Sequence, residues 1–195
     1  MDRTASISRT TSETDIAVTL NLDGSGRSDI DTGIGFFDHM LRSFAKHGFF
    51  DLTVHVKGDL EVDCHHTVED TGIVLGKAFA DALPTKRGIK RFGHAFIPMD
   101  EALAFAAADI SGRPFLVFQG KFPQERVGDF DTCMTEEFFR AFAVNAGITL
   151  HLKCEYGKNS HHMIEAMFKA AAHALHDAVA LEEDPAVILS SKGVL

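Results

Sequence analysis

The chain carries a second copy of itself, and this duplication constrains its fold more than any other feature. Aligned without a gap, Asp51–Leu83 and Gly147–Val179 share nine identities. Thr53, His55, Lys57, His65, His66, Glu69, Ala78, Asp81 and Ala82 meet Thr149, His151, Lys153, His161, His162, Glu165, Ala174, Asp177 and Ala178. Upstream the register drifts as connecting segments change length. Even so, Arg42-Ser43-Phe44-Ala45 matches Arg140-Ala141-Phe142-Ala143, and Asp23-Gly24-Ser25-Gly26-Arg27 matches Asp109-Ile110-Ser111-Gly112-Arg113. Two long copies do not make a solenoid. The repeat predicts two similar halves, about 1–90 and 91–185, packed face to face in a single domain over 1–195.

Each half reads in the same order. Ile16, Val18, Leu20 and Leu22 alternate with polar residues up to Gly24-Ser25-Gly26, a strand and its turn, and Ala102–Asp109 is the counterpart. A helix follows, over Phe36–His47 with Gly48 as its stop and over Glu136–Ala146 with Gly147 as its stop. A strand comes next, Leu52–Val56 or Ile148–Leu152. A long helix then starts at the His pair and ends near Pro84 in one half and before Pro185 in the other. The fold class is α+β, with a small sheet in each half and helices gathered on one face of it. Gly120–Phe130 reads as the mobile loop.

Composition narrows the function classes. With 45% hydrophobic and 24% charged residues the chain is globular, and its longest apolar run, Ala102–Ala108, falls far short of a membrane span. Met1-Asp2-Arg3-Thr4-Ala5-Ser6 opens no signal-peptide stretch, so an unexported protein with no membrane partner is expected. A net charge of −9 has the wrong sign for a protein whose affinity comes from neutralising nucleic-acid phosphates, although a local basic pocket for one small anion stays open. The cysteines, Cys64, Cys133 and Cys154, are odd in number and not closely spaced. This argues against a disulfide framework and for the cytoplasm.

Histidine carries the chemistry. Both repeats present His-His-x-x-Glu at a helix entrance, and the i,i+3 and i,i+4 spacings put histidine and glutamate on a common face. Imidazole with carboxylate suits manganese, iron or zinc, whereas calcium and magnesium favour oxygen alone. A single copy would read equally as polar helix capping. Two copies related by a pseudo-twofold would bring six ligands, His65, His66, Glu69, His161, His162 and Glu165, to one seam. His39 and its repeat counterpart Glu137 raise the count to eight, four for each of two ions. His55 and His151 read as sheet-face residues, and His173 and His176 as surface or interface residues.

Six longer segments, in order, resemble the signatures of the imidazoleglycerol-phosphate dehydratases of histidine biosynthesis, and the likeness runs from about Arg9 to the C-terminus. They are Gly35–Leu41 (GFFDHML), Asp63–Asp70 (DCHHTVED), Pro98–Leu103 (PMDEAL), Ser111–Pro114 (SGRP), His161–Ala170 (HHMIEAMFKA) and Ser190–Gly193 (SSKG). The resemblance implies a lyase that dehydrates D-erythro-imidazole-glycerol phosphate to imidazole-acetol phosphate, through an imidazolate held at a dinuclear site with two Mn2+. It implies a ribosomal-protein-S5-domain-2-like fold in each half and a homo-oligomer, a hollow 24-mer shell. One ion takes His39, His66, His161 and Glu165, and the other takes His65, Glu69, Glu137 and His162. Glu137 departs from members with histidine there and adds a negative charge. Glu13 matches the acid/base position, and His39 and Glu165 belong to the same catalytic set. His47, Arg91, Arg113, Lys169, Ser191, Lys192 and Gly193 join Glu13 in binding the substrate, the last three from a functional tail, 186–195.

The implied chemistry is physically sound. An imidazole bound through its nitrogens to two cations loses its ring proton more easily, the resulting anion can push out the neighbouring hydroxyl, and a base then takes the acidified chain proton. Outside the resemblance, Glu13 reads as a strand-edge carboxylate, Lys169 as a solvated helix residue and Lys192 as plain tail. A dinuclear phosphoesterase is the competing enzyme, and a metal-storing or structural shell the competing non-enzyme. A four-helix di-iron bundle is disfavoured by the alternating strands.

Overall fold

The computed structural model describes residues 3–193, so the last two residues of the expected tail, 194 and 195, lie outside it. The first half runs β1 (Thr4–Thr10), β2 (Thr14–Asn21), β3 (Ser28–Asp31), α1 (Gly35–Gly48), β4 (Asp51–Gly58) and α2 (His65–Ala82). The second runs β5 (Phe92–Met99), β6 (Ala102–Asp109), β7 (Phe115–Gln119), a short hairpin of β8 (Arg126–Val127) and β9 (Phe130–Asp131), α3 (Met134–Ala146), β10 (Thr149–Tyr156) and α4 (Ser160–Val179). The sheets have equivalent orders, β1-β2-β4-β3 and β5-β6-β10-β7, and each has one parallel pair, β3 with β4 and β7 with β10. A parallel pair needs a crossover between its strands, and α1 and α3 supply it. The α+β class and the duplication are therefore as the sequence predicts.

Alternation explains which face is buried. In β2, Ile16, Val18 and Leu20 point inward while Asp15, Ala17 and Thr19 face solvent, so the sheet is apolar on one side only. α2 packs on the β1–β2 side of the first sheet and α4 on β5 and β6 of the second, and the helices of the two halves then meet each other, α1 with α4 and α2 with α3. Aromatic contacts cross the join: Phe79 meets Phe142 edge-on at 5.5 Å between centroids, and Phe37 meets Phe138 edge-on at 5.4 Å.

Two local readings are corrected. α1 does not stop on a left-handed Gly48. Phe49 takes that conformation, with φ 55°, and Gly48 is required instead because a Cβ there would lie 2.3 Å from the Phe50 ring. Segment 120–130 is pinned to the body: Phe130 is fully buried against Phe36 and Phe37, and Gln124 accepts from the Ser160 amide at 2.7 Å. Isolated phenylalanines among glycine and charged residues have no periodicity to announce that they are anchors.

The α2–α3 contact depends on missing side chains. A Cβ on Gly72 would come within 2.7 Å of the Phe138 carbonyl oxygen, and one on Gly76 within 2.6 Å of the Phe142 carbonyl oxygen. Backbone cannot give way as a flexible side chain can. Gly76→Val is expected to lower stability by about 1–3 kcal/mol through forced separation of the helices, read as an earlier urea midpoint. An unchanged midpoint would show that the helices can part freely.

Candidate metal centre and active site

α1 and α4 face each other along two polar stripes spaced i,i+4, which is the spacing that keeps side chains on one helix face. α1 contributes His39, Ser43 and His47, and α4 contributes His161, Glu165, Lys169 and His173. Glu165, only 6% exposed, is the hub. Its Oε2 lies 3.3 Å from His39 Nε2 and 3.2 Å from His161 Nε2, and Oε1 accepts from Lys169 Nζ at 2.8 Å. Burial works to raise the Glu165 pKa, but the hydrogen bond and charge of Lys169, with His39, outweigh it and hold the carboxyl below the ordinary glutamate range. Beyond Lys169, His47 Nδ1 stands 3.3 Å from His173 Nε2, and burial followed by the Lys169 charge keeps His47 inclined to its neutral form. His173 is thus the partner of His47 at the helix junction.

His39, His161 and Glu165 are, among the described residues, the one group of three or more potential ligands whose donor atoms converge within 4.8 Å. Two imidazole nitrogens and a carboxylate oxygen are a donor set for manganese, iron or zinc. The pseudo-equivalent face between α2 and α3 is less assembled. His65 Nε2 lies 3.4 Å from Glu69 Oε2, repeating the His161–Glu165 contact, but Glu137 is paired with Arg140 at 3.2 Å.

The second histidine of each pair turns away. His66 Nδ1 sits 2.9 Å from Asp59 and its Nε2 3.8 Å from Glu13, while His162 Nδ1 sits 2.8 Å from Glu101 and its Nε2 3.6 Å from Asp100. Adjacent helical residues diverge by about 100°, and the rings follow, with centroids 6.2 Å apart in one pair and 6.0 Å in the other. One chain therefore does not gather the six ligands of both triplets at a single seam. The hydrogen bond to Asp59 raises the His66 pKa, and that to Glu101 raises the His162 pKa. Glu101 is itself lowered to about 2 by His162 and by the Lys158 and Asn159 amides. A carboxylate at Nδ1 orients each ring and leaves Nε2 as the ligand atom.

Glu13 stands in the turn between β1 and β2. Thr11 Oγ1 accepts from the Glu13 amide at 3.1 Å and the Thr14 amide at 3.0 Å, and Thr14 Oγ1 donates to Asp70 Oδ2 at 2.5 Å. Arg9 pairs with the same buried Asp70, so both ends of the turn are fastened to α2. The basic residues form two groups. Lys169 lies against Glu165 and Met99, whereas Arg91 and Arg113 both bind Asp109, and Arg91 also donates to the Leu189 carbonyl in the tail. Ser191, Lys192 and Gly193 are exposed on a turn, where Gly193 borders a cavity of about 300 Å³ beside Pro84 and Arg87. Sequence reasoning assigned no role to Asp59, Asp70, Glu101 or Asp109. Asp70 and Glu101 fell in recognised segments and Asp109 in the duplicated pattern, but nothing local gives the partners of any of the four away.

The family model described as Imidazoleglycerol-phosphate dehydratase matches residues 32–175. An imidazoleglycerol-phosphate dehydratase of Acetivibrio thermocellus is 58% identical over 195 residues, covering 100% of both chains. The crystal structure of imidazoleglycerol-phosphate dehydratase from Staphylococcus aureus superposes with a TM-score of 0.83 at 40% identity, over 91% of this chain and 99% of that one. A structure from Pyrococcus furiosus, titled as a complex with (S)-C348, gives a TM-score of 0.82 at 35% identity, over 97% of this chain and 100% of that one. With the same fold and matching sequence along its whole length, the chain belongs to the imidazoleglycerol-phosphate dehydratase family, hydro-lyases of histidine biosynthesis.

Proposed function

We propose that this chain dehydrates D-erythro-imidazole-glycerol phosphate at a site for two manganese ions that neighbouring copies complete together. The observation that carries this reading is the split of the ligands within one chain. His39, His161 and Glu165 converge, while His66 and His162 turn to other partners, each oriented by its own carboxylate. In the ligand sets that the resemblance implies, the first triplet still lacks His66 and the set of His65, Glu69 and Glu137 lacks His162, and on this reading a second copy supplies each. The donor set fits, since imidazole and carboxylate suit manganese. When bound, the ions supply Lewis acidity toward the imidazole ring of the substrate.

The remaining work falls to side chains. Glu13, held on its fastened turn 3.8 Å from His66, takes the proton from the substrate's glycerol chain. Lys169, with Arg113 and the tail residues Ser191, Lys192 and Gly193, holds the phosphate, and Arg91, its fork occupied by Asp109, adds positive charge beside them. His47, whose pKa is lowered by burial and by the Lys169 charge, lines the same end of the helix junction. Homo-oligomerisation into a 24-mer shell belongs to the same reading. It is supported by Phe92, Phe96 and Phe115, all more than half exposed in the second sheet, where the first sheet's open face is polar. Cytoplasmic location is supported by three free cysteines, and no helix among the described residues is long and apolar enough to cross a membrane.

Complementation tests the shared site. His39→Ala and His66→Ala chains are each expected to be inactive, because each lacks one ligand of the first ion. When they are dissociated, mixed and reassembled with manganese, some junctions receive intact ligands from both variants and activity returns. No recovery from a mixture that reassembles to full size would place both histidines in one chain's site.

A further inference from the structure

The two halves share a clasp that precedes their first strands. In the first, Arg3 binds Asp23 through Nε at 2.9 Å and through Nη2, while Nη1 donates to the Val179 carbonyl at the end of α4. In the second, Arg91 binds Asp109 through Nε at 2.7 Å and Nη2 at 3.2 Å, while Nη1 donates to the Leu189 carbonyl. Asp23 and Asp109 are repeat counterparts. The same fork-on-carboxylate device therefore occurs twice, each time spending its third nitrogen on a carbonyl from the C-terminal part of the chain.

What lies beyond the carbonyl differs. After α4 the chain doubles back along 88–91, with Lys90 donating to Ala180 at 2.9 Å, Glu182 to Gly88 at 2.9 Å and Gly88 to Val187 at 2.8 Å. Past Leu189, the hydrogen bonds of the described tail are internal: Gly193 to Ser190 at 3.0 Å and Lys192 to the Ser190 hydroxyl at 3.2 Å. Among the described residues, the Arg91–Leu189 bond is thus the last hydrogen bond fastening the tail to the body before Ser191. Arg91 makes it from a left-handed backbone with φ 67°, a conformation that a non-glycine residue keeps only where its surroundings enforce it. Its guanidinium is further held over the Phe92 ring at 4.6 Å.

We propose that Asp109 is a positioning residue for phosphate binding: through Arg91 it docks the C-terminal tail at Leu189, and through Arg113 it aims a second fork. This rests on the reading that Ser191, Lys192 and Arg113 hold the substrate phosphate. Asp109 itself touches no substrate. It locks the Arg91 fork by a bidentate charge-assisted pair, the strongest such contact available to arginine, so that the remaining nitrogen faces the tail in a single orientation. The first-half clasp ends on a helix terminus and positions no tail, which makes it a built-in control.

Hydrogen–deuterium exchange on the manganese-loaded, assembled protein tests this alongside steady-state kinetics. In Asp109→Ala, amides of 186–193 are expected to exchange about tenfold faster or more, with KM for the substrate rising by a similar factor and kcat nearly kept. Arg91→Lys, which keeps the charge but loses the fork, should loosen the tail likewise. Asp23→Ala should change exchange near β1 and leave 186–193 unmoved, and Arg113→Ala should raise KM without touching tail exchange. Parent-like tail exchange in Asp109→Ala and Arg91→Lys overturns the proposal, and so does equal loosening in Asp23→Ala. Were the parent protein unable to dehydrate the substrate, the functional reading would fail while the exchange result still decided whether the clasp holds the tail.

Discussion

Replacing Glu165 with alanine is expected to remove one of the two metal positions and to lower turnover on the order of 10³-fold or more, since Lewis-acid stabilisation is worth several kcal/mol. Two effects act together. Glu165 is the carboxylate on which His39 and His161 converge, so its loss takes away one donor and the contact that aims the other two. It also strips Lys169, whose side chain is 16% exposed, of its counter-charge at 2.8 Å. An unpaired ammonium beside two imidazoles repels a cation instead of admitting one. Glu165→Gln separates these effects from lost volume: it keeps the shape but removes the charge, and should lose metal nearly as completely. Elemental analysis of purified protein, with dehydration followed on the authentic substrate, reads both consequences. Retention of two manganese ions per chain by Glu165→Ala, with normal turnover, would show that this cluster is an internal polar network and not a metal centre.

The parts of this architecture that repeat were legible from residues alone. β2, β4 and β10 are central strands that alternate, β6 follows from its place in the repeat, and α2 and α4 begin at an unmistakable His pair. The edge strands β1 and β3 were not, because Thr4–Thr10 and Ser28–Asp31 are largely polar and each has a neighbour on one side only. Pattern reasoning also overreached at the metal ligands. Spacing alone put His65 and His66 on a common face with Glu69 and at one seam, whereas helical geometry points them toward different partners, Glu69 and Asp59. The carboxylates that aim the His66 and His162 rings illustrate why: Asp59 precedes its helix and Glu101 lies on a hairpin turn 61 residues from His162. Such contacts are set by the duplicated sheets, and no local spacing encodes them.

A second large effect is expected at Glu13, of a different kind. Glu13→Gln should retain both metals and full assembly while turnover drops by about 10²–10⁴, the range for a lost general acid–base. Retention follows from what the side chain does not do. The turn is held by the Thr11 hydroxyl, by Thr14 on Asp70 and by Arg9 on the same carboxylate, so the backbone keeps its course without the Glu13 carboxyl. That carboxyl is half exposed, and its recorded side-chain contact is with His66 at 3.8 Å, on the side away from Asp59. A group so placed is near a metal ligand without being one of the converging donors, and is free to accept a proton from a substrate lying between. Thr14→Val probes the placement independently: it leaves the acid in position 13 but unfastens the turn from Asp70, and should lower turnover less than Glu13→Gln does. If Glu13→Gln dehydrates the substrate at the parental rate, proton abstraction belongs to another residue. If it instead loses its manganese, the carboxylate serves the metal site and the base assignment fails.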